Sequence, residues 1–179
     1  MTVQSKLLFI LIGDDKTGKT NLQKYLIKEL CNQSYDKLPV NVRFNITHPE
    51  IKKKFRNISF GNRSYQEKRS DYGSVDNYFE QHFKAADICI VSSHLVESDI
   101  EQMILNGKKR YYNVIGVFFS NSIKSNSALN SQISLLNWNE RLYIENPTIE
   151  NHEEDLIKAQ LKSIASNFVH SLINKTNAL

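Results

Sequence analysis

Hydrophobic positions follow two rhythms along this chain. Leu7 to Ile12 is an unbroken apolar run, which predicts a strand buried on both faces. A helix follows from Lys19 to Cys31, with Leu22, Tyr25, Leu26 and Leu30 on one side. Val40 to Ile46 alternates, with Val40, Val42, Phe44 and Ile46 expected inward. Beyond Pro49 the pattern blurs into a helical turn at Ile51 to Phe55 and a short strand at Ile58 to Phe60.

The rhythm then sharpens. Val75, Tyr78, Phe79, His82 and Phe83 recur at helical spacing before a strand at Asp87 to Ser92. Ser98 and Glu101 form a capping box for a helix reaching Asn106. Asn113 to Phe119 reads as a buried strand. Asn121 to Ser134 reads as a Ser/Asn-rich loop with one helix after Ala128 at most, and Arg141 to Glu145 as a short strand. The last helix is expected near Asn151, with Glu154 as its box partner and Ile157, Leu161, Ile164, Phe168 and Leu172 on one face. Strands alternating with helices predict a three-layer α/β/α sandwich around a mainly parallel five- to six-stranded sheet. No internal repeat or long linker divides the chain, so residues 1–179 are read as a single domain.

Composition narrows this picture only slightly. Apolar residues make up 40% of the chain, enough for a core, and no stretch approaches the length of a membrane span. The N-terminal apolar run is too short for a secretory leader, and two isolated cysteines, Cys31 and Cys89, read as small core residues. A cytoplasmic protein without a membrane partner is the expectation. The net charge of +4 is unevenly spread. Between Arg43 and Arg69 eight Lys/Arg face two acids, and between Glu140 and Asp155 six acids face one Arg. The basic stretch favours anionic partners or is an ordinary solvated surface.

One segment carries specific chemistry. Gly13-Asp14-Asp15-Lys16-Thr17-Gly18-Lys19-Thr20 fits the pattern G-x-x-x-x-G-K-[ST] in full, between a buried strand and the start of a helix. The glycines let the backbone curl so that successive N–H groups converge on phosphate oxygens, and the helix that opens here adds its positive end. Lys19 is placed to neutralise the β- and γ-oxygens and is the candidate catalytic residue. Thr20 is placed to hold Mg²⁺, and Asn21 completes the cradle. On these residues the chain resembles the P-loop NTPase superfamily, over about 30 residues of strand, loop and helix. The resemblance implies a nucleoside triphosphate, ATP or GTP, with Mg²⁺ as cofactor.

The remaining parts of such a site are harder to find. Many P-loop proteins place an acid after a later strand; here Ser92, Ser93 and His94 occupy that point, with Glu97 and Asp99 the nearest acids beyond. GTPases resemble one another in D-x-x-G and N-K-x-D. Asp71-Tyr72-Gly73 is one residue short of the first, and Ser120-Asn121-Ser122-Ile123-Lys124 lacks the acid of the second. Small P-loop kinases are similar in size and in a basic acceptor region, where Arg56, Arg63 and Arg69 would contact an anionic small molecule. Their lid carries arginines. The matching Ser120 to Asn139 has none, and Arg141 lies just beyond. Asp71, His94 and Glu97 are candidates to orient a nucleophile.

Three functions remain open at this point. They are an NTPase or kinase-like phosphotransferase using Mg-ATP, a diverged GTPase-like switch, and a nucleotide-gated module whose segment 43–69 binds a protein partner. Nucleic acid is a weaker candidate for that segment, because no recognised binding signature accompanies it.

Overall fold

The computed structural model describes residues 6–39 and 41–177. Val40, expected to open a strand, lies outside them. Among the described residues six strands form one sheet in the order β2-β3-β4-β1-β5-β6. The strands are β1 (Lys6–Ile12), β2 (Arg43–Asn45), β3 (Asn57–Ser64), β4 (Ile88–Ser93), β5 (Tyr112–Phe119) and β6 (Glu140–Ile144). All neighbours are parallel except β2, which runs antiparallel to β3 with Phe44 opposite Ile58.

The unbroken apolar strands sit at the centre because both of their faces are covered. Leu7, Phe9 and Leu11 of β1 point into one core with Ile88, Ile90, Ile115 and Val117. That core is closed by α1 (Lys19–Cys31) and α7 (Glu154–Asn177) through Leu22, Leu26, Leu161 and Phe168. The Phe9 and Phe168 rings lie 4.8 Å apart. Leu8, Ile10 and Ile12 point into a second core with Cys89, Val91, Val114 and Phe118. It is covered by α4 (Glu97–Lys109), α6 (Ser127–Ser134) and the helical segment of α3 (Val75–Asn77) continued as a π-turn at Tyr78–His82. The expected three-layer α/β/α architecture with a mainly parallel sheet is therefore formed.

Glycine at 107 lets α4 lie close over the sheet. A Cβ there would stand 2.7 Å from side-chain atoms of Leu8 and Val114. The helix thus crosses above β1 to deliver the chain from β4 to β5. This crossing matters for the site. The connection after β1 leads towards the β3 edge and the connection after β5 leads towards β6, so the loops part between these neighbours and leave a crevice at the strands' carboxyl ends.

Several expected boundaries move. Val42 is exposed while Phe44 and Ile46 are buried, and among the described residues the strand is only Arg43–Asn45. The capping box of Ser98 and Glu101 is not formed: α4 begins at Glu97 behind Val96, with no side-chain cap. Asn151, expected to open the last helix, instead has a left-handed backbone (φ 63) in a short turn, and α7 starts at Glu154. The Ser/Asn-rich segment is helical in two pieces, α5 (Ser120–Ser125) and α6, with Asn126 accepting from the Leu129 N–H as the cap of α6.

Both cysteines are buried and unpaired, as expected of core residues. Burial pushes the Cys31 thiol up to about 11 and raises that of Cys89 as well. Since the thiolate is the reactive form, iodoacetamide at pH 7.5 should leave both sulfurs unmodified in the native protein. In denaturant both should be alkylated, and mass spectrometry reads the difference. Rapid native labelling of Cys31 would contradict its packing.

Candidate functional site

The crevice is floored by the loop between β1 and α1. The Gly13 N–H donates to the Ser93 carbonyl at 3.1 Å, extending the ladder between β1 and β4 by one rung before the chain turns. Gly13 is required there because a Cβ would meet Thr17 side-chain atoms at 2.6–2.7 Å. Gly18 is required for a second reason: its φ of 98 is a conformation L side chains rarely adopt. It is also the residue that caps α1, and it brings no side-chain acceptor. No capping side chain therefore competes with an anion at the start of that helix.

Lys19 folds back over this loop. Its ammonium donates to the Gly13 and Asp14 carbonyl oxygens, the second at 2.9 Å. The side chain is largely buried. Burial pulls its pKa below the ordinary lysine value, while the carboxylates of Asp15, Asp14 and Glu67 oppose that shift. Asp14 is turned aside, its Oδ1 accepting from the Leu95 N–H at 3.2 Å. Asp15, Lys16, Thr20 and Asn21 are exposed.

The loop is anchored from across the crevice. The Thr17 carbonyl accepts from Asn146 Nδ2 at 3.0 Å, just after β6, and from Asn121 Nδ2 at 3.4 Å, in α5. Thr17 Oγ1 in turn donates to the Asp14 carbonyl at 2.7 Å. Asn146 is buried and also knits the two strand ends together, accepting from Ser120 Oγ and the Asn121 N–H at 3.3 Å each. On the other side, buried Gln23 of α1 donates to Ser92 Oγ at 2.9 Å. The loop is thus held to the ends of β4, β5 and β6.

Around it opens a cavity of about 720 Å³. Its loop wall is Asp14 to Asn21. Its far wall is Asn121, Ser122, Ser125 and Asn146 to Ile149, and α7 closes it with Ile157 and Leu161. Ser92, Ser64 and Glu67 line the β3–β4 side. Asn121 Oδ1 is buried and accepts no hydrogen bond from the described residues.

The residues singled out beyond the loop divide sharply. His94 is near it, with Nε2 3.4 Å from Asp15 and 3.6 Å from Glu67. Asp99 is buried in the first turn of α4, where it accepts from Gln66 Nε2 at 3.0 Å and faces Arg69 at 3.8 Å. It is committed to bracing the residues after β3 and does not line the cavity. Glu97 is exposed at the start of α4, and Asp71 pairs with Lys68 on the surface at 2.8 Å. Arg63, exposed near the carboxyl end of β3, does not line the cavity either.

Arg56 corrects the expected acceptor region. Because β2 and β3 form an antiparallel pair, the chain between them passes the opposite end of the sheet. The Arg56 N–H binds Asp87 there, before β4 begins. Lys52, Lys53 and Lys54 share that end, so segment 43–69 presents no single basic face towards the loop. Arg141 is also spent elsewhere, donating to the carbonyls of Ser134 and Leu136. Within the segment that matches a kinase lid, Ile133 and Trp138 are buried in the second core, while Asn121, Ser122 and Ser125 line the cavity. Sequence reading passed over Gln23, Gln66, Glu67, Asn121 and Asn146 as structural parts of the site.

No family model matches the sequence, and no curated protein matches it. Among solved structures, a de novo designed protein with a P-loop NTPase fold, determined in solution by NMR, resembles the chain at a TM-score of 0.42. It is 10% identical, over 94% of this chain and 93% of that one. No helix among the described residues is long and apolar enough to cross a membrane.

Proposed function

We propose that this chain is a P-loop NTPase that binds Mg-ATP in the crevice and hydrolyses it. The observation that carries the reading is the Gly13–Thr20 loop itself. A buried lysine ammonium and the first turn of a helix without a side-chain cap face one cavity large enough for a nucleotide. In this reading the triphosphate replaces the Gly13 and Asp14 carbonyls as partner of the Lys19 ammonium, and the loop N–H groups take the remaining phosphate oxygens. Mg²⁺ fits the oxygen donors present: Thr20 and Ser92 bring hydroxyl groups to the cavity wall, the second where a carboxylate is often found. The ion would neutralise charge on the transferring phosphoryl group.

The base would lie between the ends of β5 and β6, where Ile149, Ile157 and Leu161 supply apolar surface and Asn121 polar surface. No carboxylate stands in α5 to read guanine, which favours ATP over a guanine-specific switch. Hydrolysis is preferred over transfer to an acceptor, because the hairpin carries Arg56 away and α6 is packed into the core.

Titration of fluorescent ATP and GTP with Mg²⁺ tests this. ATP is expected to bind in the micromolar range and at least as tightly as GTP, with slow phosphate release. Affinity weaker than about 1 mM for both, roughly −4 kcal/mol, would remove the proposal, and a strong preference for GTP would restore the switch.

A further inference from the structure

We propose that Asp15, Glu67 and His94 form a binding site for a divalent transition-metal ion such as Zn²⁺ beside the phosphate loop. The three side chains come from separate segments: the loop after β1, the turn after β3 and the residue after β4. Each offers one ligand atom, and the three atoms lie within 4.8 Å of one another. A tetrahedral ion with ligands at about 2.0–2.1 Å holds them roughly 3.3–3.4 Å apart. The His94 Nε2 separations, 3.4 Å to Asp15 Oδ1 and 3.6 Å to Glu67 Oε1, fall close to that spacing.

The His94 ring adds a second feature of the same cluster. Its Nε2 is buried and makes no hydrogen bond among the described residues, although it points at two carboxylates. A buried ring nitrogen that faces two carboxylates at 3.4 and 3.6 Å without a hydrogen bond to either leaves a gap that a shared cation would close. The frame around it is fixed. Gln66 Oε1 accepts from the His94 N–H at 2.9 Å, which places Glu67, the next residue, beside the ring. Asp14 Oδ1 accepts from the Leu95 N–H, which holds Asp15 on the other side.

An imidazole with two carboxylates suits a borderline ion such as Zn²⁺ better than Mg²⁺, which prefers an all-oxygen shell. Asp15 and Glu67 both line the cavity, so a fourth position is left to water or an anion entering from that side. The site is distinct from the Thr20 hydroxyl assigned to Mg²⁺ above.

Calorimetric titration of ZnCl₂ into tag-free, nucleotide-free protein tests the proposal. One ion per chain is expected, with His94→Ala and Glu67→Gln each weakening binding at least about tenfold. His170→Ala, an exposed histidine on α7, should bind as the parent does, and millimolar Mg²⁺ should not displace Zn²⁺. Thermal melts establish that the variants are folded. No saturable Zn²⁺ binding, or His94→Ala binding as tightly as the parent, overturns the site. Without nucleotide in the cell, such a failure leaves the triphosphate reading untouched.

Discussion

Replacing Lys19 with alanine should abolish measurable triphosphate binding while leaving the fold in place. The ammonium is the one cation held inside the loop, donating to the Gly13 and Asp14 carbonyls in the structure described. Hydrogen bonds to a charged group contribute about 1.5–3 kcal/mol each. Loss of two such contacts to phosphate oxygens therefore weakens binding by about 100-fold or more. Asp14, Asp15 and Glu67 all act on this lysine electrostatically, so removing it leaves acids facing the incoming polyanion. Stability should change much less. The variant gives up a buried charge, and of the two carbonyls it frees that of Asp14 belongs to a residue lining a cavity that admits water. Equilibrium titration with fluorescent ATP and a parallel thermal melt separate the two effects. Unchanged affinity in a folded Lys19→Ala protein would end the P-loop reading, whereas loss of the cooperative melt would show that the lysine holds the loop together.

That prediction rests on the part of the molecule legible in its sequence. A run of six apolar residues, two glycines at fixed spacing and a helical face starting at Lys19 are local signals, and β1, the loop and α1 lie where they place them. Strand direction is not local. The alternation about Phe44 is the same whether its strand runs up or down, so the antiparallel pairing of β2 and β3 was not readable, and Arg56 was assigned to the wrong end. The helices of 120–134 were obscured for another reason. Serine and asparagine are weak helix formers, and this segment is ordered by burial of Ile133 and by hydrogen bonds from Asn130 Nδ2 to the Ser122 and Asn126 carbonyls. Asn146 stood in the sequence merely as the residue before a proline, because its partner Thr17 is 129 positions away.

Asn146→Ala should accordingly destabilise the protein and loosen the loop together. The side chain is buried, donates to the Thr17 carbonyl at 3.0 Å and accepts from both Ser120 Oγ and the Asn121 N–H. Alanine preserves the backbone bond to Ser120 Oγ at 2.8 Å but deserts the Asn121 N–H and leaves Thr17 with its longer bond to Asn121. Unsatisfied buried groups cost about 1–3 kcal/mol each, so a net loss of about 2–3 kcal/mol is expected. For a domain of this size that lowers Tm by roughly 5–10 °C. Asn146→Asp should be at least as harmful, because it keeps the acceptor but turns a carboxylate oxygen towards the Thr17 carbonyl. Amide hydrogen exchange locates the damage: Gly18 to Asn21 should exchange faster, while the centre of β1 keeps its relative protection. ATP affinity should fall about tenfold, since the cradle must then be ordered at the moment of binding. A variant that melts within a degree or two of the parent would show that the loop is held from the β4 side, through Gln23 and Ser92, and that the crossing to β6 is incidental.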